Sequence, residues 1–68
     1  MAANRVVEVN RALRARGEAI TLRRGRGYYY FAGGDAALWP SSGVYVYRAS
    51  DLTVAEWLHQ FDLLSTAR

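Results

Sequence analysis

The stretch Arg23-Arg24-Gly25-Arg26-Gly27-Tyr28-Tyr29-Tyr30-Phe31 constrains this chain more than any other. Three arginines sit on a glycine turn and four aromatics follow at once. Before the turn, Ala19-Ile20-Thr21-Leu22-Arg23-Arg24 alternates as a strand does. After it, 27–32 reads as a second strand. A glycine in the first place of a two-residue loop is the signature of a type II′ hairpin turn, so Gly25-Arg26 is the expected loop. That loop sets Arg24 opposite Gly27, Arg23 opposite Tyr28, Leu22 opposite Tyr29, Thr21 opposite Tyr30 and Ile20 opposite Phe31. Directly opposed residues share a face. Ile20, Leu22, Tyr29 and Phe31 then form an apolar face, and Thr21, Arg23, Tyr28 and Tyr30 form the other.

The rest of the chain supplies partners for the apolar face. Asn4 is an N-cap candidate, and Val6, Val9 and Leu13 follow at helical spacing. Gly17 stands where a C-terminal glycine belongs. A helix is expected from about residue 5 to 16. Arg11, Arg14 and Arg16 lie in its last turns, where cations suit the helix dipole. Gly33-Gly34-Asp35 opens a connection to about Gly43, with Trp39 expected to fold over the edge of the core. A third strand, Val44-Tyr45-Val46-Tyr47-Arg48, points its valines inward and its tyrosines outward.

Thr53-Val54-Ala55-Glu56 has the pattern of a capping box. Leu52 and Trp57 are placed for a hydrophobic staple. Val54, Trp57, Leu58, Phe61 and Leu64 form one helical stripe, with His59, Gln60 and Asp62 off it. The order is helix, three strands, helix. This predicts a single small α+β domain over 1–68: a three-stranded antiparallel sheet with two helices on one face. The other face would carry Thr21, Arg23, Tyr28, Tyr30, Tyr45 and Tyr47.

A chain of 68 residues with no cysteine must build its core from packing alone. With 51% apolar and 13% aromatic residues it has the material. The lack of cysteine fits a reducing cytoplasm. No apolar run is long enough for a membrane span and no secretory signal is expected. All nine basic residues are arginine, and the net charge is +3. Residues 1–26 hold seven arginines against Glu8 and Glu18, a balance of +5. The remainder holds Arg48 and Arg68 against four carboxylates, a balance of −2. Such a basic front suits nucleic acid, or an acidic or nucleic-acid-bound protein.

The residues offer little for catalysis. His59 is the lone histidine, so no His/Cys metal set is expected. Ser41, Ser42 and Ser50 have no base nearby in the pattern. Gly25-Arg26-Gly27 lacks P-loop spacing. No enzyme and no cofactor are expected. The expected binding set is Arg23, Arg24, Arg26, Tyr28, Tyr30, Tyr45, Tyr47 and Arg48. Tyrosine and arginine anchor protein interfaces. They also stack bases and hold phosphates. Ordinary strand preference for tyrosine and homodimerisation through the sheet are further explanations.

The element order resembles that of double-stranded-RNA-binding domains and of HicA-type toxins. The HicA pattern places Gly-Ser-His at the start of its second strand, where this chain has Gly27-Tyr28-Tyr29 and no histidine. That resemblance implies RNA or DNA binding without RNA cleavage. Gly-Tyr-Tyr-Tyr-Phe, Val-Tyr-Val-Tyr-Arg and Asp-Leu-Thr-Val-Ala-Glu-Trp-Leu are similar to strings in small orphan proteins of phages and mobile elements, anti-CRISPR proteins among them. That resemblance implies a monomeric or weakly dimeric inhibitor in the cytoplasm of a bacterial host. Its partner would be a host protein or nucleoprotein complex, such as a CRISPR effector subunit.

Overall fold

The computed structural model describes residues 4–66. Helix α1 (Arg5–Ala15) begins where the Asn4 side chain accepts from the amides of Val6 and Val7. It ends in a Schellman motif. Gly17 takes φ +80°, its amide donates to Arg14 O, and the Glu18 amide donates to Leu13 O. Strands β1 (Thr21–Arg24), β2 (Tyr29–Ala32) and β3 (Gly43–Val44) form one antiparallel sheet in the order β1-β2-β3. Short 3₁₀ turns at Ala36–Leu38 and Ala49–Asp51 flank β3, and α2 (Val54–Thr66) closes the chain. The expected α-β-β-β-α order and antiparallel sheet are present.

The capping box forms as the sequence predicts. The Glu56 amide donates to Thr53 Oγ1 at 3.1 Å, and the Thr53 amide donates to Glu56 Oε1 at 2.9 Å. Donation from the Thr53 amide, with a further contribution from the Thr53 hydroxyl, holds the Glu56 carboxyl below its usual pKa.

Val9, Leu13, Ile20, Leu22, Tyr29, Phe31, Ala36, Trp39, Val44, Trp57 and Phe61 are buried together between the helices and one sheet face. Most of the aromatic rings meet edge to face. Phe31 and Trp39 each touch Phe61, at 5.4 and 5.5 Å between centroids, and Trp57 meets Tyr29 at 5.6 Å. Trp39 is thus a core residue closing the sheet's end, although its indole N–H finds no acceptor among the described residues. Across the outside of the helix pair, Arg16 bonds Asp62 at 2.7 Å and lies over Phe61. The bond to Asp62 raises the Arg16 pKa above its ordinary value, against a smaller effect of desolvation.

Two expectations need correction. The hairpin does not turn at Gly25-Arg26. The observed pairs are Thr21–Ala32, Leu22–Phe31, Arg23–Tyr30 and Arg24–Tyr29, and the Gly25 amide donates to Tyr28 O. Arg26 and Gly27 therefore form the tip. The left-handed φ of +75° falls on Gly27, not on Gly25 as a type II′ turn requires. The register is shifted by two residues, which preserves side-chain parity, so both faces keep their expected composition. A one-residue slip would have put Leu22 and Phe31 on opposite faces of the sheet.

The third strand is also shorter than 44–48. Pairing with β2 stops after Tyr29–Val44 and Tyr30–Gly43. Beyond Val44 the chain leaves the sheet toward α2, held by the Ala49 peptide. Ala49 N–H donates to Tyr29 Oη at 3.1 Å, and Ala49 C=O accepts from Trp57 Nε1 at 2.8 Å. Buried tyrosine and tryptophan need partners for their polar tips, and the backbone of one residue serves both. That attraction competes with strand pairing and prevails. Val46 still packs on the core.

Candidate binding surface

The sheet face away from the helices carries Arg23 directly opposite Tyr30. Next to them, Tyr28 in the turn packs its ring 5.9 Å from Tyr30 and 5.7 Å from Tyr45. Tyr28 is held from below by Gly25, where a Cβ would stand 2.5 Å from the tyrosine Cζ. Gly25 is therefore required for close approach of a ring rather than for an unusual backbone angle. Tyr28 and Tyr30 are half-buried, while Tyr45 is 80% exposed. The result is a three-ring patch whose members brace one another, with Tyr45 reaching it from outside the sheet.

Tyr47 was expected on the outer sheet face and Arg48 at the end of the same strand. With β3 ending at Val44, they stand instead at the hairpin's tip end. Tyr47 is 82% exposed, and the Arg48 guanidinium lies 5.7 Å from the Tyr47 ring centroid. Between this pair and the tip is a cleft of about 320 Å³, lined by Arg24, Gly25, Gly27, Tyr28, Tyr47 and Arg48 with the edge of Tyr29. Tyr28 belongs to both the patch and the cleft. Of the eight residues expected in the binding set, the fold joins Tyr28, Tyr30 and Tyr45 in the patch, and Arg24, Tyr28, Tyr47 and Arg48 in the cleft. Arg23 borders the patch beside Tyr30. Arg26 is exposed at the tip and lines neither.

Gly25 and Gly27 were read only as turn formers. Their part in the cleft depends on where the chain goes after Val44, and no local pattern carries that information. Among the described residues, the ion pairs are Arg5–Glu8 and Arg16–Asp62. Arg23, Arg24, Arg26 and Arg48 are in neither, so their charges face solvent. A second groove, between α1 and β1, holds Arg11 and Arg14 beside Glu18 but none of the tyrosines.

One further placement bears on how this surface can be used. Asn10 of α1 reaches the outer edge of β1. Its Oδ1 accepts from the Leu22 amide at 2.6 Å, and its Nδ2 donates to Leu22 O at 3.2 Å. A side-chain amide thus occupies the position a fourth strand would take, which protects the edge from strand addition. His59, on α2, is exposed, and its neighbour Asp62 is engaged by Arg16. Among the described residues no helix is long and apolar enough to cross a membrane. No family model, curated protein or solved structure matches this chain.

Proposed function

We propose that this chain is a small non-catalytic binding protein that inhibits by occupancy. Its tyrosine patch and flanking arginines dock on a host nucleoprotein complex, in the manner of an anti-CRISPR protein, and exclude target nucleic acid. The observation that carries this reading is the braced Tyr28–Tyr30–Tyr45 cluster beside arginines that form no ion pair among the described residues. Rings packed against one another make a continuous preordered surface. Preorder lowers the entropy cost of docking, and Tyr with Arg is the composition of interface hot spots. The charge also narrows the partner. A positive face is the wrong sign for a basic nucleic-acid channel, so it fits an acidic surface of a protein subunit.

The test uses purified CRISPR effector complexes of several types and labelled target DNA. Stoichiometric wild-type protein should abolish target binding by one of them. Arg26→Glu should lose that effect with a nearly unchanged thermal unfolding midpoint, and Tyr30→Ala should lose it while remaining folded at the assay temperature. Equal loss of stability and inhibition would make these residues structural. Failure against every effector would remove the effector as partner.

The +5 front half favours a second reading, direct binding of RNA or DNA. In that case the protein alone should raise the anisotropy of labelled oligonucleotides near physiological salt. The affinity should fall steeply as salt rises, because phosphate contacts release counterions.

A further inference from the structure

We infer that the cleft between the hairpin tip and the Tyr47-Arg48 turn is a binding site for a phosphate monoester, carried by a nucleotide or by the 5′ end of a nucleic-acid strand. Neither reading above requires such a site. Docking of the tyrosine patch needs no anion, and general strand binding needs no terminal phosphate.

Arg24 ends β1 and Arg48 follows the departure of the chain from β3, so two distant segments bring an arginine each to one concavity. No carboxylate side chain lines it. The nearest fixed acid along the chain is Asp51, whose Oδ2 accepts from the Arg48 backbone amide at 2.9 Å. The two positive charges are therefore uncompensated within the cleft.

Shape and order support the same ligand. Arg48 is held over the Tyr47 ring, which fixes the guanidinium while leaving its in-plane N–H groups free to donate. Gly27 puts bare backbone on the wall, with nothing within 4 Å of where its Cβ would be, while the Tyr28 ring covers Gly25 beside it. A ligand can approach such backbone closely. The volume of about 320 Å³ falls near the small end of ligand sites.

A phosphate fits better than a carboxylate. One guanidinium saturates a carboxylate in a bidentate pair. Two guanidiniums on separate segments match a tetrahedral group with three terminal oxygens and a charge of about −1.5 to −2. A diester inside a strand carries only one charge and has fewer terminal oxygens, so the monoester is the preferred form.

The experiment is a nuclear magnetic resonance titration of the full chain at constant ionic strength. The probes are inorganic phosphate, a nucleoside 5′-monophosphate, the nucleoside alone, and acetate. Two further probes are a short single strand with a 5′-phosphate and the same strand with a 5′-hydroxyl. The phosphate probes should saturate, shifting the Gly25 and Gly27 amides and the Arg24 and Arg48 Nε–H signals. Arg24→Gln and Arg48→Gln should each weaken binding by roughly tenfold or more, the loss of a charge-assisted contact. Arg11→Gln, in the other groove, should change nothing. The two 5′-phosphate arms, mononucleotide against strand, identify which carrier binds more tightly.

Equal saturation with acetate would overturn the inference and make the cleft a seat for an acidic protein side chain. Equal weakening by Arg11→Gln, or shifts that grow without saturating, would reduce it to a diffuse field. Since the probes are bare ligands, these outcomes are independent of the effector assay. Dispersed amide spectra of both glutamine variants confirm that they are folded.

Discussion

Adding one methyl group at Gly25 tests whether the surface is built as described. A Cβ there would lie 2.5, 2.7 and 2.9 Å from three ring carbons of Tyr28. The backbone itself tolerates alanine, since Gly25 has no positive φ. The ring must therefore swing away, leaving Tyr30 and Tyr45. Each aromatic contact contributes about 0.5–1.5 kcal/mol beyond simple burial. Against this, alanine reduces the freedom of the unfolded chain and returns about 0.4–1 kcal/mol. Gly25→Ala should thus cost only about 1 kcal/mol net, or ~4–8 °C in a domain of this size. It should nevertheless dismantle the patch and distort the cleft, because Tyr28 borders both. Urea unfolding followed by tryptophan fluorescence gives the stability. The ring-proton shifts of Tyr28, Tyr30 and Tyr45 give the geometry. Unchanged ring shifts would show that Tyr28 does not lie over Gly25. A loss above about 3 kcal/mol would refute the account of Tyr28 as a surface ring, since displacing a surface ring does not reach that size.

Asn10→Ala should destabilise the domain by about 1–3 kcal/mol, from two lost hydrogen bonds at Leu22. It should also unmask the β1 edge, so sedimentation should show mass rising with concentration more steeply than in wild type. Tyr29→Phe leaves the Ala49 amide without its acceptor, and urea unfolding should register a cost of about 1–3 kcal/mol. The lowered Glu56 pKa contributes stability that is present above its unfolded value, about 4.3, and is lost as pH falls through the lowered folded value. Glu56→Gln should accordingly destabilise α2 at pH 7, with the gap to wild type closing in acid; denaturation curves at the two pH values read it directly.

The helices were legible because their signals are local. Asn4 and Thr53 cap the residues that follow them, Glu56 answers Thr53 three positions on, and Gly17 ends α1 beside the helix it terminates. The faces of the hairpin were legible for a different reason. Alternation fixes which side each residue occupies even when the register moves by two. What local pattern could not fix was the turn itself. Both Gly25-Arg26 and Arg26-Gly27 suit a two-residue tip, and the choice rests on the Tyr28 ring settling over Gly25. The third strand failed for a related reason. Val-Tyr-Val-Tyr alternates well, but Tyr29 and Trp57 draw Ala49 into the core and end the pairing early. The tyrosines of the site were therefore identified by type, while the cleft that joins Arg24 to Arg48 arises only once the chain has left the sheet. Asn10 gave no signal at all, since its partner lies 12 residues away.

The Ala49 peptide has a consequence for measurement. Trp57 is fully buried and its indole bond ends on the residue immediately after Arg48. Any load placed on Arg48 is thus transmitted through one residue to a chromophore inside the core. The molecule carries its own gauge: occupancy of the cleft should alter Trp57 emission without an attached dye, and a Trp39→Phe background isolates that signal from the second indole, which packs on Phe31 and Phe61.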